Sequence, residues 1–267
     1  MSERVSIAVN DHVAVVTLNR PEKKNAVDAA MFEALTNAGE NLRANAAVRA
    51  VVLHGAGGNF CAGIDTAVFQ VGDAGTASAE RMRPQGQSPA NFYQGAACVW
   101  QTLEVPVIAA IEGYCFGAGL QIAAGADIRH AQAEARLSIM EVKWGLVPDM
   151  GISVTLRDVM PVDRVRELAY SGRIVSGREA LQLGLVTAVS ENPFESALAL
   201  AYEIAAKSPD AIRAIKVLTG KAWSQPLAEA LQTEARLQLA LIGSPNQQEA
   251  VKANVGGRKP EYRDADT

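Results

Sequence analysis

Residues Val105 to Asp127, V-P-V-I-A-A-I-E-G-Y-C-F-G-A-G-L-Q-I-A-A-G-A-D, constrain this chain more than any other stretch. The run Val107–Ile111 is wholly apolar, as in a strand buried on both faces, and such strands belong to parallel sheets covered by helices. Gly113 breaks the run. Gly117-Ala118-Gly119 then opens a helix of small apolar residues. A helix N-terminus presents unpaired N–H groups and the positive end of the helix dipole. Glycine there lets another group approach the backbone closely, so such an end can hold a phosphate or a developing oxyanion. The one polar side chain in the helix body is Gln121. Taken alone, the stretch equally fits a tightly packed strand–turn–helix with no ligand.

The rest of the chain fits an α/β protein. Its 267 residues make one large domain, or a domain with an appendage, and 49% hydrophobic residues supply a sizeable core. Only 5% are aromatic, so Ala, Val, Leu and Ile do most of the packing. A net charge of −4 gives no footprint for nucleic acid or an anionic membrane. The three cysteines, Cys61, Cys98 and Cys115, lack ligand-like spacing, and His12, His54 and His130 stand apart. Free thiols in a reducing compartment, with no metal site, are expected. No apolar targeting segment and no 18-residue apolar span occurs, so the expectation is a soluble, cytoplasmic protein.

In chain order, Val5–Val9 and Val13–Leu18 read as a hairpin turning at Asn10-Asp11. Asp28 caps a helix to about Asn45. Val51–Leu53 is a short buried strand, followed by the turn-rich His54–Asn59. Thr66 to Asn91 has little periodicity and is read as a lid, a pocket wall or a plain surface insert. A helix at 94–103 leads into the central stretch. Strands follow at Asp127–Ala131 and Arg136–Ile139. Gly145 and Pro148 prevent a regular helix over Glu141–Asp149. Further helices are expected at Ser153–Val159 and Val162–Ser171. Ser176 with Glu179 forms a capping box, and Leu185–Val189 is a short strand. After Asn192 the chain turns to amphipathic helices only, a candidate oligomerisation unit.

With F-C-A-G-I-D at 60–65 and G-A-G at 117–119 both in view, the chain resembles the crotonase superfamily, the enoyl-CoA hydratase/isomerase family. L-N-R-P-E-K-K-N-A-V-D at 18–28, A-V-V-L-H-G at 50–55, A-D-I-R at 126–129, E-V-K-W-G-L-V-P-D at 141–149 and Arg258-Lys259-Pro260 extend the match in order and spacing. It is weakest over 66–91. The resemblance implies an α/β fold: a crotonase-like spiral of ββα turns over residues 1–205, then a C-terminal helical trimerisation region over 206–267, assembled as a homotrimer or dimer of trimers. It implies an acyl-CoA thioester substrate, with coenzyme A carried on that substrate and no permanently bound cofactor.

The resemblance also assigns roles. The N–H groups of Ile64 and Ala118 form an oxyanion hole for the thioester oxygen. Lys24, Ala26, Ala62, Gly63, Asp65 and Gly117 map onto the coenzyme A side, with Lys24 a phosphate partner or a solvated loop lysine. Hydratases of the family use two glutamates. One maps onto Glu141, and the other position is Gln121, an amide that cannot act as a general base. A second acid, Asp149, lies eight residues after Glu141, as in dienoyl-CoA isomerases. That branch has a third acid where this chain has Gln121, so the isomerase match is also incomplete. The resulting expectation is an enoyl- or dienoyl-CoA isomerase using Glu141 and Asp149, with Gln121 in support. The alternatives are a single-glutamate hydratase and a non-catalytic acyl-CoA-binding protein.

Overall fold

The computed structural model describes residues 3–67, 79–86, 88–220 and 222–265. Much of the 66–91 segment, residues 68–78 and 87, lies outside the described residues. Nine strands and ten α-helices are labelled here in chain order. The strands are β1 Val5–Asn10, β2 Val13–Leu18, β3 Ala50–Gly55, β4 Val107–Ile111, β5 Tyr114–Phe116, β6 Ile128–Ala131, β7 Arg136–Ser138, β8 Val175–Ser176 and β9 Ala188–Val189. The helices are α1 Ala29–Arg43, α2 Phe92–Gln101, α3 Ala118–Ala124, α4 Ile152–Thr155, α5 Val162–Ser171, α6 Gly177–Gln182, α7 Pro193–Ala205, α8 Pro209–Gly220, α9 Leu227–Leu241 and α10 Pro245–Val255.

Six strands form one sheet in the order β1-β2-β3-β4-β6-β9, antiparallel at the β1–β2 hairpin and parallel elsewhere. Both faces of its centre are covered, which is why β3 and β4 are continuous apolar runs. Val51, Leu53, Val107, Ala109 and Ile111 face α1 to α3, in one core. Ala50, Val52, Ile108 and Ala110 face α7, whose Ala197, Ala201 and Ala205 pack closely against them. A second sheet, β5-β7-β8, stands beside the first. β4 passes into β5 and β6 into β7, one strand for each sheet, and α3 follows β5. This is the expected ββα spiral.

Several boundaries move. The hairpin turns at Asp11-His12, both with positive φ, rather than Asn10-Asp11. The expected helix at 153–159 is a single turn, and the strand at 185–189 shrinks to two residues. Ser176 accepts the Glu179 N–H, but the Glu179 carboxylate turns to Arg173 at 2.6 Å, so Ser176 caps without the reciprocal half of a capping box. α8 is joined to the spiral by Lys216, which donates to the Val105 carbonyl and pairs with Asp127, both at 2.8 Å. Arg49 pairs with Asp264 near the C-terminus.

Candidate active site

Three segments meet where β5 runs into α3. The first is 61–65. Cys61 pairs with Cys115 in a parallel bridge: its N–H donates to the Tyr114 carbonyl and its carbonyl accepts the Phe116 N–H. Ile64 and Ala118 are each three residues past that bridge, so both chains deliver their next peptide to the same place. The second segment is 24–28. Val27 donates to the Gly63 carbonyl and accepts from the Asp65 N–H, at 2.8 and 2.9 Å. In such a ladder alternate residues point opposite ways, so the Ile64 N–H faces away from Val27. Ala118 is the first residue of α3, where a helix leaves its N–H unpaired. Among the described residues neither N–H meets an acceptor.

Two glycines make this possible. Gly63 has φ +95°, and a Cβ there would lie 2.9 Å from the Phe116 carbonyl oxygen. Gly117 has φ +49° and ψ −116°, a conformation that side-chain-bearing residues rarely take. A Cβ on Gly117 would lie 3.4 Å from Glu141 Oε1, so the first acid sits directly beside the turn into α3.

Glu141 begins a 3₁₀ turn, Glu141–Trp144, stopped by Gly145 in the left-handed region. Gln121 is 1% exposed. Its Nε2 donates to Glu141 Oε1 at 2.6 Å, and its Oε1 accepts the Met150 N–H at 2.8 Å. Because the Met150 N–H occupies the amide oxygen, the NH₂ must face the carboxylate. Glu141 Oε2 is buried with no partner among the described residues. Burial raises the Glu141 carboxyl above its ordinary range; the Gln121 amide opposes this and the nearby Asp149 charge adds to it. Burial likewise raises Asp149. Asp149 does not cap the following helix, whose cap position is Gly151, without a side-chain bond.

The residues expected on the coenzyme A side lie on two adjoining segments. The Lys24 carbonyl accepts the Ala62 N–H at 2.9 Å, which brings 24–26 against 62–63. Lys24 is exposed and its Nζ stands 4.4 Å above the Tyr114 ring. Ala26 is buried. The Asp65 carboxylate is already occupied, by Arg20 at 2.8 Å and the Ala67 N–H at 3.1 Å. Arg20 gives no sign of this pairing in the sequence, since an ion pair across 45 residues leaves no local signal. Cys61 and Cys115 are wholly buried, and burial pushes the Cys61 thiol up to about 12, so both act as small apolar side chains. A separate groove of about 880 Å³ runs between α1 and α2; Glu33, Asn91 and Cys98 line it, and it touches neither acid.

A family model described as enoyl-CoA hydratase/isomerase matches residues 8–265. The mitochondrial Delta(3,5)-Delta(2,4)-dienoyl-CoA isomerase of Mus musculus is 32% identical over 261 residues, covering 92% of this chain and 77% of that protein. The enoyl-CoA hydratase EchA19 of Mycobacterium tuberculosis is 30% identical over 259 residues, covering 94% and 93%. The crystal structure of an enoyl-CoA hydratase from Bacillus anthracis superposes with a TM-score of 0.89 at 28% identity, covering 98% of this chain and 100% of that one.

Proposed function

The chain belongs to the enoyl-CoA hydratase/isomerase family, and from that premise we propose that it is an acyl-CoA double-bond isomerase of fatty-acid or related acyl-CoA metabolism. The substrate is a 3-enoyl- or 3,5-dienoyl-CoA thioester, and coenzyme A is part of it rather than a resident cofactor. The thioester oxygen lies on the N–H groups of Ile64 and Ala118. Lys24, Ala26, Ala62, Gly63 and Gly117 form the approach for the coenzyme A arm and thioester, and Asp65 holds the loop from behind.

Glu141 Oε2 takes a proton from C2. The electron pair passes into the thioester as an enolate or dienolate, whose oxygen the two N–H groups stabilise, a donor of this kind being worth ~3–4 kcal/mol. Asp149, in its protonated form, delivers a proton further along the chain. One turnover leaves the proton on Glu141 and a vacancy on Asp149, and exchange with water restores both. The observation that carries this reading is the pair itself. Two half-buried acids, both raised by burial, flank one turn: Glu141 accepts from the Gln121 amide, which cannot titrate, and the same amide accepts from the N–H of Met150, the residue after Asp149.

Purified protein should turn over 3-enoyl- or 3,5-dienoyl-CoA, and Glu141→Gln and Asp149→Asn should each lower that rate ~10²–10⁴-fold. Hydration of 2-enoyl-CoA alone, indifferent to Asp149→Asn, would replace the proposal with the single-glutamate hydratase. That second reading is favoured by EchA19, a relative at 30% identity that is named a hydratase. Tight acyl-CoA binding without turnover would leave a binding protein.

We also propose that the helices after residue 205 assemble the chain into a homotrimer or dimer of trimers. Trp223, Leu227, Leu239 and Val255 are 72%, 77%, 72% and 86% exposed, an apolar surface that suits contact with further copies. No described helix is long and apolar enough to cross a membrane. A cytoplasmic setting fits the bacterial relatives, although the mouse relative is named as mitochondrial.

A further inference from the structure

The Ile64 N–H keeps its direction only while residues 63–65 hold their register on Val27. Two backbone bonds to Val27 make that register, with the Ala62–Lys24 bond the one other backbone bond between these segments among the described residues, and so short a ladder needs support. Arg20 reaches both of its edges. Its Nη2 pairs with Asp65 Oδ2 at 2.8 Å, on the residue after Ile64. Its Nη1 donates to the Ala26 carbonyl at 2.9 Å and lies 3.7 Å from Asp28 Oδ2, on the residues either side of Val27. One planar fork therefore spans the two segments whose pairing aims the N–H.

The fork is itself well anchored. The Arg20 backbone N–H donates to Asn25 Oδ1 at 2.8 Å, and Asn25 Nδ2 donates to the carbonyls of Ala56 and Asn59. The side chains of Arg20 and Asp65 are 11% and 14% exposed. An exposed pair contributes ~0–1 kcal/mol and fixes little, but an enclosed fork with several acceptors holds its partners in place. Asp28, Asp65 and, at 3.9 Å, Glu22 surround the guanidinium. It is thus occupied by protein acceptors and not arranged to receive a phosphate.

We propose that Arg20 is the positioning residue of the oxyanion hole: by clamping Asp65 to the Ala26–Asp28 segment, it sets the direction of the Ile64 N–H. This rests on Ile64 being an oxyanion donor, and the experiment separates the two claims. The probe is hexanoyl-CoA carrying ¹³C at the thioester carbonyl, a saturated ligand with no double bond to move. It is bound to the full chain and read by isotope-edited infrared spectroscopy. In the wild type the carbonyl band should fall below its position in buffer. No fall would sink the oxyanion reading before Arg20 is considered.

Given that fall, Arg20→Lys and Asp65→Asn should each reverse a large part of it. On the substrate the wild type turns over, kcat should drop about 10-fold or more while KM stays within roughly threefold, since loss of a whole donor costs ~10²–10³. Arg4→Met, which breaks the other ion pair on Asp28, should leave the band in place. An unmoved band in both Arg20→Lys and Asp65→Asn would overturn the proposal. So would an equal shift in Arg4→Met, which would mean general loosening of the loop. A rise in KM with the band unchanged would instead make Arg20 a binding residue, and also overturns it. Should Arg20→Lys fail to fold, the near-isosteric Asp65→Asn carries the test.

Discussion

The two walls of this site are built from different materials. The wall proposed to receive the thioester is backbone: the Cys61–Cys115 bridge, the Val27 ladder and the first peptide of α3, with Cys61, Val27 and Ala118 buried. The wall proposed to move protons is side chain: Glu141, steadied by one amide, and Asp149 on an irregular turn, with Val142, Trp144, Leu146 and Val147 exposed around them. Any residue but proline supplies an N–H, so the first wall tolerates Ala118 where the crotonase pattern often has glycine. Only certain residues carry a proton. On the proposed assignment the first wall decides which group is polarised, and the second decides which reaction follows. Relatives at similar identity named isomerase and hydratase are what such a division would produce.

The largest effect should come from disturbing the backbone wall. Gly117→Ala puts a Cβ on a residue at φ +49°, ψ −116°. Relief of that strain, on the order of 1–3 kcal/mol, should rotate the peptide that carries the Ala118 N–H. kcat should fall ~10²–10³-fold, as when an oxyanion donor is lost, with acyl-CoA binding far less affected. Single-turnover kinetics beside equilibrium binding would check this. Retained kcat would break the comparison, because the backbone wall would then not depend on this conformation.

The same division governs what the sequence revealed. The Val107–Ile111 strand, the Asp28 cap and the tail helices were legible because burial and capping act over a few residues. The peptides proposed for the oxyanion hole and both acids are legible only through family resemblance, and the fold brings Ile64, Ala118, Gln121 and Glu141 together. β5 went unread because three residues, Tyr-Cys-Phe, give no period. The Arg20–Asp65 pair and the orientation of the Gln121 amide went unread because each is fixed by atoms 20 to 45 positions away. Glu179 shows the converse error: a local pattern fitted a capping box, yet Arg173 took the carboxylate.

A smaller effect should sharpen the proton-moving wall. Gln121 now gives Glu141 a neutral donor, which lowers its pKa against the upward push of burial. Gln121→Glu replaces that donor with an acid, and like charges disfavour joint ionisation. The acid limb of the isomerase pH profile should move to higher pH. Activity at neutral pH should fall by about tenfold or less, because Glu141 remains present. Some hydration of 2-enoyl-CoA should appear, since two carboxylates then flank one space. A pH profile that stays in place would show that Gln121 does not control Glu141.

The smallest effect is thermodynamic. Burial lifts the Asp149 carboxyl above its ordinary value, so the unfolded chain ionises at lower pH than the folded one. Between those two pKa values the unfolded state holds fewer protons, and stability falls as pH rises through that window. Above it the full penalty applies; below the unfolded value, near 3.9, it is absent. Asp149→Asn removes this ionisation and should raise the melting temperature at pH 7.5 by a few degrees, 1 kcal/mol being roughly 2–4 °C at this size. The gain should shrink as pH is lowered toward about 4. Lys143→Gln, on the exposed side of the same turn, should show no such pH-dependent gain. A loss of stability in Asp149→Asn at pH 7.5 would mean that the charge is satisfied in the fold, and Asp149 would then be a structural anchor instead of a poised acid.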